Sequence, residues 1–189
     1  MIATVLGIIS GYMGGIIDSV IQRIADTAIA FPILLLLLIL AQVLGPSMRT
    51  VIIAVGIAFI APVTRVVRGA VLSERNNQYV EAARALGATT PRILLRHIAP
   101  NVVALAIIIA TTLLGTAILA EAALSFLGLG IPVPNPSWGT DVSLARASPP
   151  YHIWWAFFPG AAITLTVLGF NLLGDSLRDI FDPRLRGRL

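Results

Sequence analysis

Side chains able to do chemistry are few in this sequence, and most of them fall in one stretch. EAARALGATTPRILLRHIAP, Glu81 to Pro100, gathers a glutamate, three arginines and a histidine. A lone carboxylate, Glu121, interrupts the apolar run VVALAIIIATTLLGTAILAEAAL. Neither pattern is catalytic. With no cysteine there is no thiol nucleophile, disulfide framework or cysteine zinc site. With no lysine in the sequence there is no Walker A lysine to hold a nucleotide's phosphates, so any ATP chemistry must belong to another chain. The motifs G-x-S-x-G and H-E-x-x-H are missing too. His97 and His152 lie far apart, and the topology argued below puts them on opposite faces, so no metal or acid–base pair uses both. The expectation is a non-enzyme with no cofactor.

The elements around these residues are built for lipid. The chain has 189 residues, of which 57% are hydrophobic and 12% charged. A soluble domain carries about 25% charged residues, so half of its usual water-facing surface is missing. The mean hydropathy is +0.92. The expected fold class is all-α, a multi-pass helical membrane protein, because only helices satisfy their own backbone within one segment in lipid. Apolar segments run over 1–17, 27–44, 51–63, 102–127 and 153–173. The third becomes long enough when its flanks, 50–67, are included and Arg65 snorkels; the first is marginal. That predicts four full spans plus a partial N-terminal one. The first residues lack a basic region and a small-residue cleavage site, so no cleavable signal peptide is expected.

Sidedness follows from the arginines. Arg23, the six from Arg65 to Arg96, and Arg178, Arg184, Arg186 and Arg188 fall on one face; Arg49 and Arg146 fall on the other. The positive-inside rule puts the rich face in the cytoplasm. Glu81–Pro100 and the C-terminus are then cytoplasmic, and 128–152 is external. The net charge of +4 is read as membrane sidedness. No aromatic–basic ladder suggests nucleic acid.

Within the cytoplasmic stretch, 76–100, the spacing predicts two short helices and an elbow. Asn76 or Asn77 can cap the first. Tyr79, Ala83 and Leu86 would share a face, with Glu81 and Arg84 paired beside it. Gly87 suits the left-handed position that ends a helix. Thr90 as N-cap and Pro91 at the first position start the second helix. Pro100 should break or kink the chain before the next span. The alanines at 82, 83, 85 and 88 leave little bulk, so a partner could approach closely and hold the helix in a groove. The alternative is a connector on the inner leaflet, its arginines on lipid phosphates.

Glu81-Ala82-Ala83, then Gly87, then Ile98-x-Pro100 resembles the EAA loop of permease subunits of bacterial ABC importers. GYMGGIIDSVIQRIADTAIAFP, AEAALSFLGLGIPVPNPSWG and FNLLGDSLRDIFDPRLRGRL are similar to the matching parts of dipeptide, oligopeptide and nickel importer permeases, in the partner conventionally called the C-type subunit. The likeness runs from about Ile2 to Arg188. It implies that residues 76–100 form coupling helices seated in a cleft of a cytoplasmic ATPase subunit. Glu81, Ala82, Ala83, Leu86 and Gly87 are then contact and elbow positions, and Pro100 is the hinge. It also implies a second permease, two ATPases, an external solute-binding protein and an inner-membrane location. Ala99 stands where the family usually has leucine. Relative to the family the chain is expected to be N-terminally shortened, beginning inside the second span. The competing readings are a self-sufficient secondary transporter or channel, and a non-transporting membrane protein.

Glu121 is expected near the outer end of the fourth segment, as a pathway or gate residue or as a hydrogen-bonding partner of a neighbouring helix. Asn171 is expected to join helices. Asp18, Arg23 and Asp26 read as a salt-bridge cluster, with Asp26 able to cap the second helix. Gly7, Gly11, Gly14 and Gly15 suit close helix approach. The external loop, with Pro132, Pro134, Pro136, Pro149 and Pro150, is too proline-rich for a long regular helix. Trp138, Trp154 and Trp155 fit an interfacial belt.

Overall fold

The computed structural model describes residues 1–147 and 153–181; His152 and the arginines at 184, 186 and 188 lie outside the described residues. Most of the described chain is helical. Its helices are α1 (Ile2–Met13), α2 (Gly15–Ile29), α3 (Ile33–Leu44), α4 (Met48–Glu74), α5 (Gln78–Ala85), α6 (Thr90–Ile93), α7 (Ala99–Phe126), α8 (Trp138–Ala147) and α9 (Ile153–Phe181). A π-helical turn, Leu94–Ile98, fuses α6 to α7, making one helical run of 37 residues. Among the described residues three helices are long and apolar enough to cross a membrane, or up to four if α2 and α3 are counted as one bent span. The third apolar segment extends well beyond 51–63: α4 has 27 residues and a length of about 40 Å.

Two expectations are corrected. The stretch 27–44 is not one continuous helix. The chain leaves helical geometry at Ala30–Pro32, and Pro32 serves as N-cap of α3 with ψ 128°. Proline has no N–H to give to a preceding turn and disfavours helical geometry at Phe31 before it, so the apolar run divides. The glycines also separate into two kinds. Gly14 and Gly15 have φ of +66° and +57° and make the break between α1 and α2, whereas Gly7 and Gly11 serve close approach.

The chain forms two compact units. Of the described residues, the first comprises 1–30, 59–109 and 178–181; the second comprises 31–58, 110–147 and 153–177. In the first, a Cβ on Gly7 would stand 2.6 Å from Val67 Cβ, and one on Gly11 would stand 2.8 Å from Val71 Cβ. Only glycine lets α1 lie this close to α4. Val67 and Val71 form a buried cluster with Val80, Ile93, Ile98 and Val102, so α5, α6 and the start of α7 rest on α4. Thr64 Oγ1 donates to the Ala3 carbonyl at 3.3 Å. In the second unit, Leu37 and Ala41 of α3 pack with Val51, Ala54 and Ala58 of α4 and with Ala120 and Leu124 of α7. There α9 meets α7 at two glycines. A Cβ on Gly115 would be 3.1 Å from Asn171 Oδ1, and one on Gly174 would be 2.9 Å from Thr112 Oγ1. Small residues at such crossings maximise dispersion contact where lipid supplies no hydrophobic drive between helices.

Candidate functional site

The elbow between α4 and α7 is built from its caps inward. Asn77 is the N-cap residue of α5, in extended geometry, but its side chain makes no capping bond. Asn77 Nδ2 instead donates to Glu74 Oε2 at 2.9 Å. The same oxygen accepts from the Tyr79 hydroxyl, and Asn101 Nδ2 donates to that hydroxyl at 3.2 Å. Glu74, Tyr79 and Asn101 thus tie the end of α4 and the start of α7 to α5. Burial, followed by the bond to Glu74, pushes the Tyr79 phenol above its ordinary value.

The far end of α5 closes in a Schellman turn. Gly87 N–H donates to the Arg84 carbonyl at 2.9 Å, Ala88 N–H donates to the Ala83 carbonyl at 3.0 Å, and Gly87 has φ +79°. The left-handed conformation costs a residue with Cβ about 1–2 kcal/mol, which is why glycine stands there. Thr89, not Thr90, is the N-cap of α6, and Pro91 falls at the second position. Pro100 does not break the chain. It lies in the first turn of α7, directly after the π turn, in which Ala99 N–H reaches back to the Leu94 carbonyl. The wider turn absorbs a residue that has no N–H for the usual i−4 bond.

The expected face of Tyr79, Ala83 and Leu86 is corrected. Val80 is fully buried and anchors α5 with half-buried Ala83 at i+3, whereas Leu86 is 88% exposed. Leu86 is the C-cap residue, past the last helical turn, so it leaves the buried face. Burying a valine side chain contributes about 1.5–3 kcal/mol, more than an exposed ion pair, so apolar contact holds the elbow to the body. Sequence reasoning missed Val80; its signal was an apolar residue three before Ala83 within a polar stretch. Glu81, Ala82 and Gly87 are exposed, as is Leu95. Among the described residues Glu81 forms no ion pair with Arg84, whose guanidinium lies 6.0 Å over the Tyr12 ring of α1.

The acidic cluster finds its partners on α4. Asp18 accepts from Arg68 Nε and Nη2, both at 2.6 Å. Asp26 pairs with Arg65. Asp26 lies inside α2 and caps nothing, which corrects the expected N-cap. The Arg65–Asp26 side chains are 51% and 53% exposed, against 30% and 16% for Arg68–Asp18. An exposed pair is worth about 0–1 kcal/mol, so the second pair carries more of the geometry. Arg75 Nη1 donates to the Gly11 and Tyr12 carbonyls at 3.2 and 3.3 Å, satisfying the end of α1.

In the second unit, Glu121 Oε1 accepts from Ser125 Oγ at 2.6 Å and from Ser137 Oγ at 2.7 Å. Ser125 Oγ in turn accepts from Ile131 N–H at 3.2 Å. This small network fastens the connection between α7 and α8 to the helix it leaves. Beside it is an open cleft of about 380 Å³, lined by Glu121, Ile131, Pro136, Ser137, Trp138 and Asp141. A Cβ on Gly139 would lie 2.3 Å from the Ala122 carbonyl, so α8 packs tightly on α7. The proline-rich loop therefore holds a ten-residue helix, begun after its first three prolines. Among the described residues no group of three or more His, Asp or Glu side chains could hold a metal ion.

Residues 3–187 match the family model described as binding-protein-dependent transport system inner membrane component. The chain is 44% identical over 186 residues to the oligopeptide transport system permease protein of Bacillus subtilis (strain 168), covering 98% of this chain and 61% of that protein. It is 45% identical over 183 residues to the dipeptide transport system permease protein of Alkalihalophilus pseudofirmus, covering 97% and 60%. The glutathione transport system permease protein of Pectobacterium atrosepticum is 43% identical over 186 residues, covering 98% and 62%. The chain spans about three fifths of the length of these relatives.

Proposed function

Because the chain belongs to the binding-protein-dependent transport system inner membrane component family, we propose that it is a permease subunit of an ATP-driven importer, with peptides as the solute class. It forms half of the translocation pathway, and its covering partners are a second, different permease and membrane lipid. Two cytoplasmic ATPase subunits hydrolyse ATP, and an external solute-binding protein delivers the peptide. The arginine-rich face and the C-terminus are cytoplasmic.

The observation that carries this reading is the presentation of the elbow. Val80 fixes α5 to the body from behind, and the Schellman turn sets its exit. Glu81, Ala82, Leu86 and Gly87 are left facing away, and Ala83 flanks them. An exposed leucine on a short, small-residue helix suits insertion into a protein groove. Docking drives transport only if the two nucleotide states of the ATPase grip the elbow unequally. Pro100 and the π turn before it form the joint between elbow and span.

The chain has no cysteine, so the substitution L86C supplies a unique attachment point for a thiol-directed photocrosslinker. In the assembled importer it should capture an ATPase subunit. Recovery of lipid adducts alone would reject docking.

Glu121 is the chain's own candidate for a pathway-lining group, since it borders the cleft with Asp141. Glu121→Gln keeps an oxygen acceptor for Ser125 and Ser137 but removes the charge. Loss of uptake with unchanged thermal stability would support a pathway role, and normal uptake would reduce Glu121 to a fastener of the loop.

A further inference from the structure

We propose that Asp18 and Arg68 are positioning residues of the transport cycle, a clamp that makes α1, α2 and α4 move with the elbow as one body. The proposal rests on the permease reading and concerns how a displacement of the elbow is passed on.

Along the body of α4 the elbow is held by apolar contact, with Val80, Ile93 and Ile98 against Val67 and Val71; among the described residues its polar bonds to α4 are confined to Glu74, at the end of the helix. The same two valines meet Gly7 and Gly11 of α1. Such contacts are non-directional. Helices joined by them alone can slide or roll while keeping most of the buried area. A bidentate arginine–carboxylate pair resists this, because two parallel hydrogen bonds fix both distance and orientation. Arg68 follows Val67 directly in α4, and its fork holds both oxygens of Asp18 at 2.6 Å.

Asp18 does more than join two helices. Its Oδ1 also accepts from Ser10 Oγ at 2.5 Å, and Gln22 Nε2 donates to that hydroxyl at 2.9 Å. Ser10 is fully buried in α1. One carboxylate therefore fastens α1, α2 and α4 beside the valines on which the elbow rests. Without it, α4 keeps, among the described residues, only the polar bonds of Thr64 and Arg75 to α1 carbonyls and the more exposed Arg65–Asp26 pair to α2, so the ATPase could still grip and displace the elbow while α4 moves less faithfully with α1 and α2.

The test uses the assembled importer in proteoliposomes, reading uptake of a radiolabelled tripeptide and phosphate release together. D18N and R68Q should each lower peptide imported per ATP by about fivefold or more, a modest site-to-site coupling, with hydrolysis changed less than about twofold. The double variant should be no worse than the worse single, since the two act as a unit. Where either single variant fails to assemble, S10A and R68K take its place. S10A removes the two bonds of the Ser10 hydroxyl, to Asp18 and from Gln22, while leaving the Asp18–Arg68 fork, and R68K keeps the charge without the fork; each should lower the ratio by a smaller amount. An unchanged ratio in the assembled variants overturns the clamp, as does a parallel fall in uptake and hydrolysis, which marks a merely structural pair. Failure of L86C to capture an ATPase in the otherwise unaltered chain would sink the permease reading instead.

Discussion

Gly11 and Gly87 are the same residue placed for different physical reasons, and substitution separates them. A Cβ at Gly11 would lie 2.8 Å from Val71 Cβ and 2.9 Å from the Arg68 carbonyl. Gly87 has nothing within 4 Å of its would-be Cβ but has φ +79°. Gly11→Ala should force α1 from α4 and cost about 1–3 kcal/mol, as overpacking does. Gly87→Ala should cost only backbone strain of about 1–2 kcal/mol. Asparagine, which tolerates the left-handed region, should restore much of the loss at 87 and none at 11. Thermal unfolding in detergent reads both; equal effects of alanine and asparagine at 87 would contradict the assignment. Gly87 was legible because a helix-ending glycine has a local signature: a short amphipathic stretch before it and Thr-Pro after. Gly14 and Gly15 were not, because spacing alone does not distinguish a glycine needed for positive φ from one needed for close contact. Val80 was missed for a related reason. Burial of a single apolar residue in a polar stretch depends on what folds over it, and here that is Ile93 and Ile98 from further along the chain.

Proline shows the same limit at the scale of elements. At Pro32 the helical path ends and α3 starts anew; at Pro100 the helix runs on. The difference is the turn before it. Leu94–Ile98 widens into a π turn, so the missing N–H of Pro100 falls where the register has already shifted. Pro100→Ala would supply that N–H and let the wide turn tighten to α geometry. Hydrogen exchange across 94–100 should slow in this variant, with α5 unaffected; unchanged exchange would show that the π turn is fixed by packing of Ile93 and Ile98 and not by the proline. The long apolar helices α4, α7 and α9 were readable because their hydropathy needs no partner to interpret. The partners of Asp18 and Asp26 were not. Both belong to α4, dozens of residues away, whereas among the described residues the nearer Arg23 forms no ion pair with either carboxylate and its backbone carbonyl accepts from Thr27 Oγ1.

For the molecule as a whole, the family match over 3–187 agrees with the four sequence blocks that suggested it, and the arginine count of the loops is the basis for proposing one crowded basic face. On the function proposed above, an elbow anchored by Val80, shaped by Gly87 and jointed at Pro100 is the handle by which nucleotide-driven closure of a separate ATPase reaches the spans. The most direct test replaces residues 82–89 by a flexible glycine–serine linker of equal length in the assembled importer, then compares tripeptide uptake driven by ATP with uptake driven by a proton gradient. ATP-driven uptake should fall to background with the linker, and the gradient alone should support none in the unaltered protein. Full ATP-driven uptake through the linker, or gradient-driven uptake without ATP, would contradict the proposed coupling.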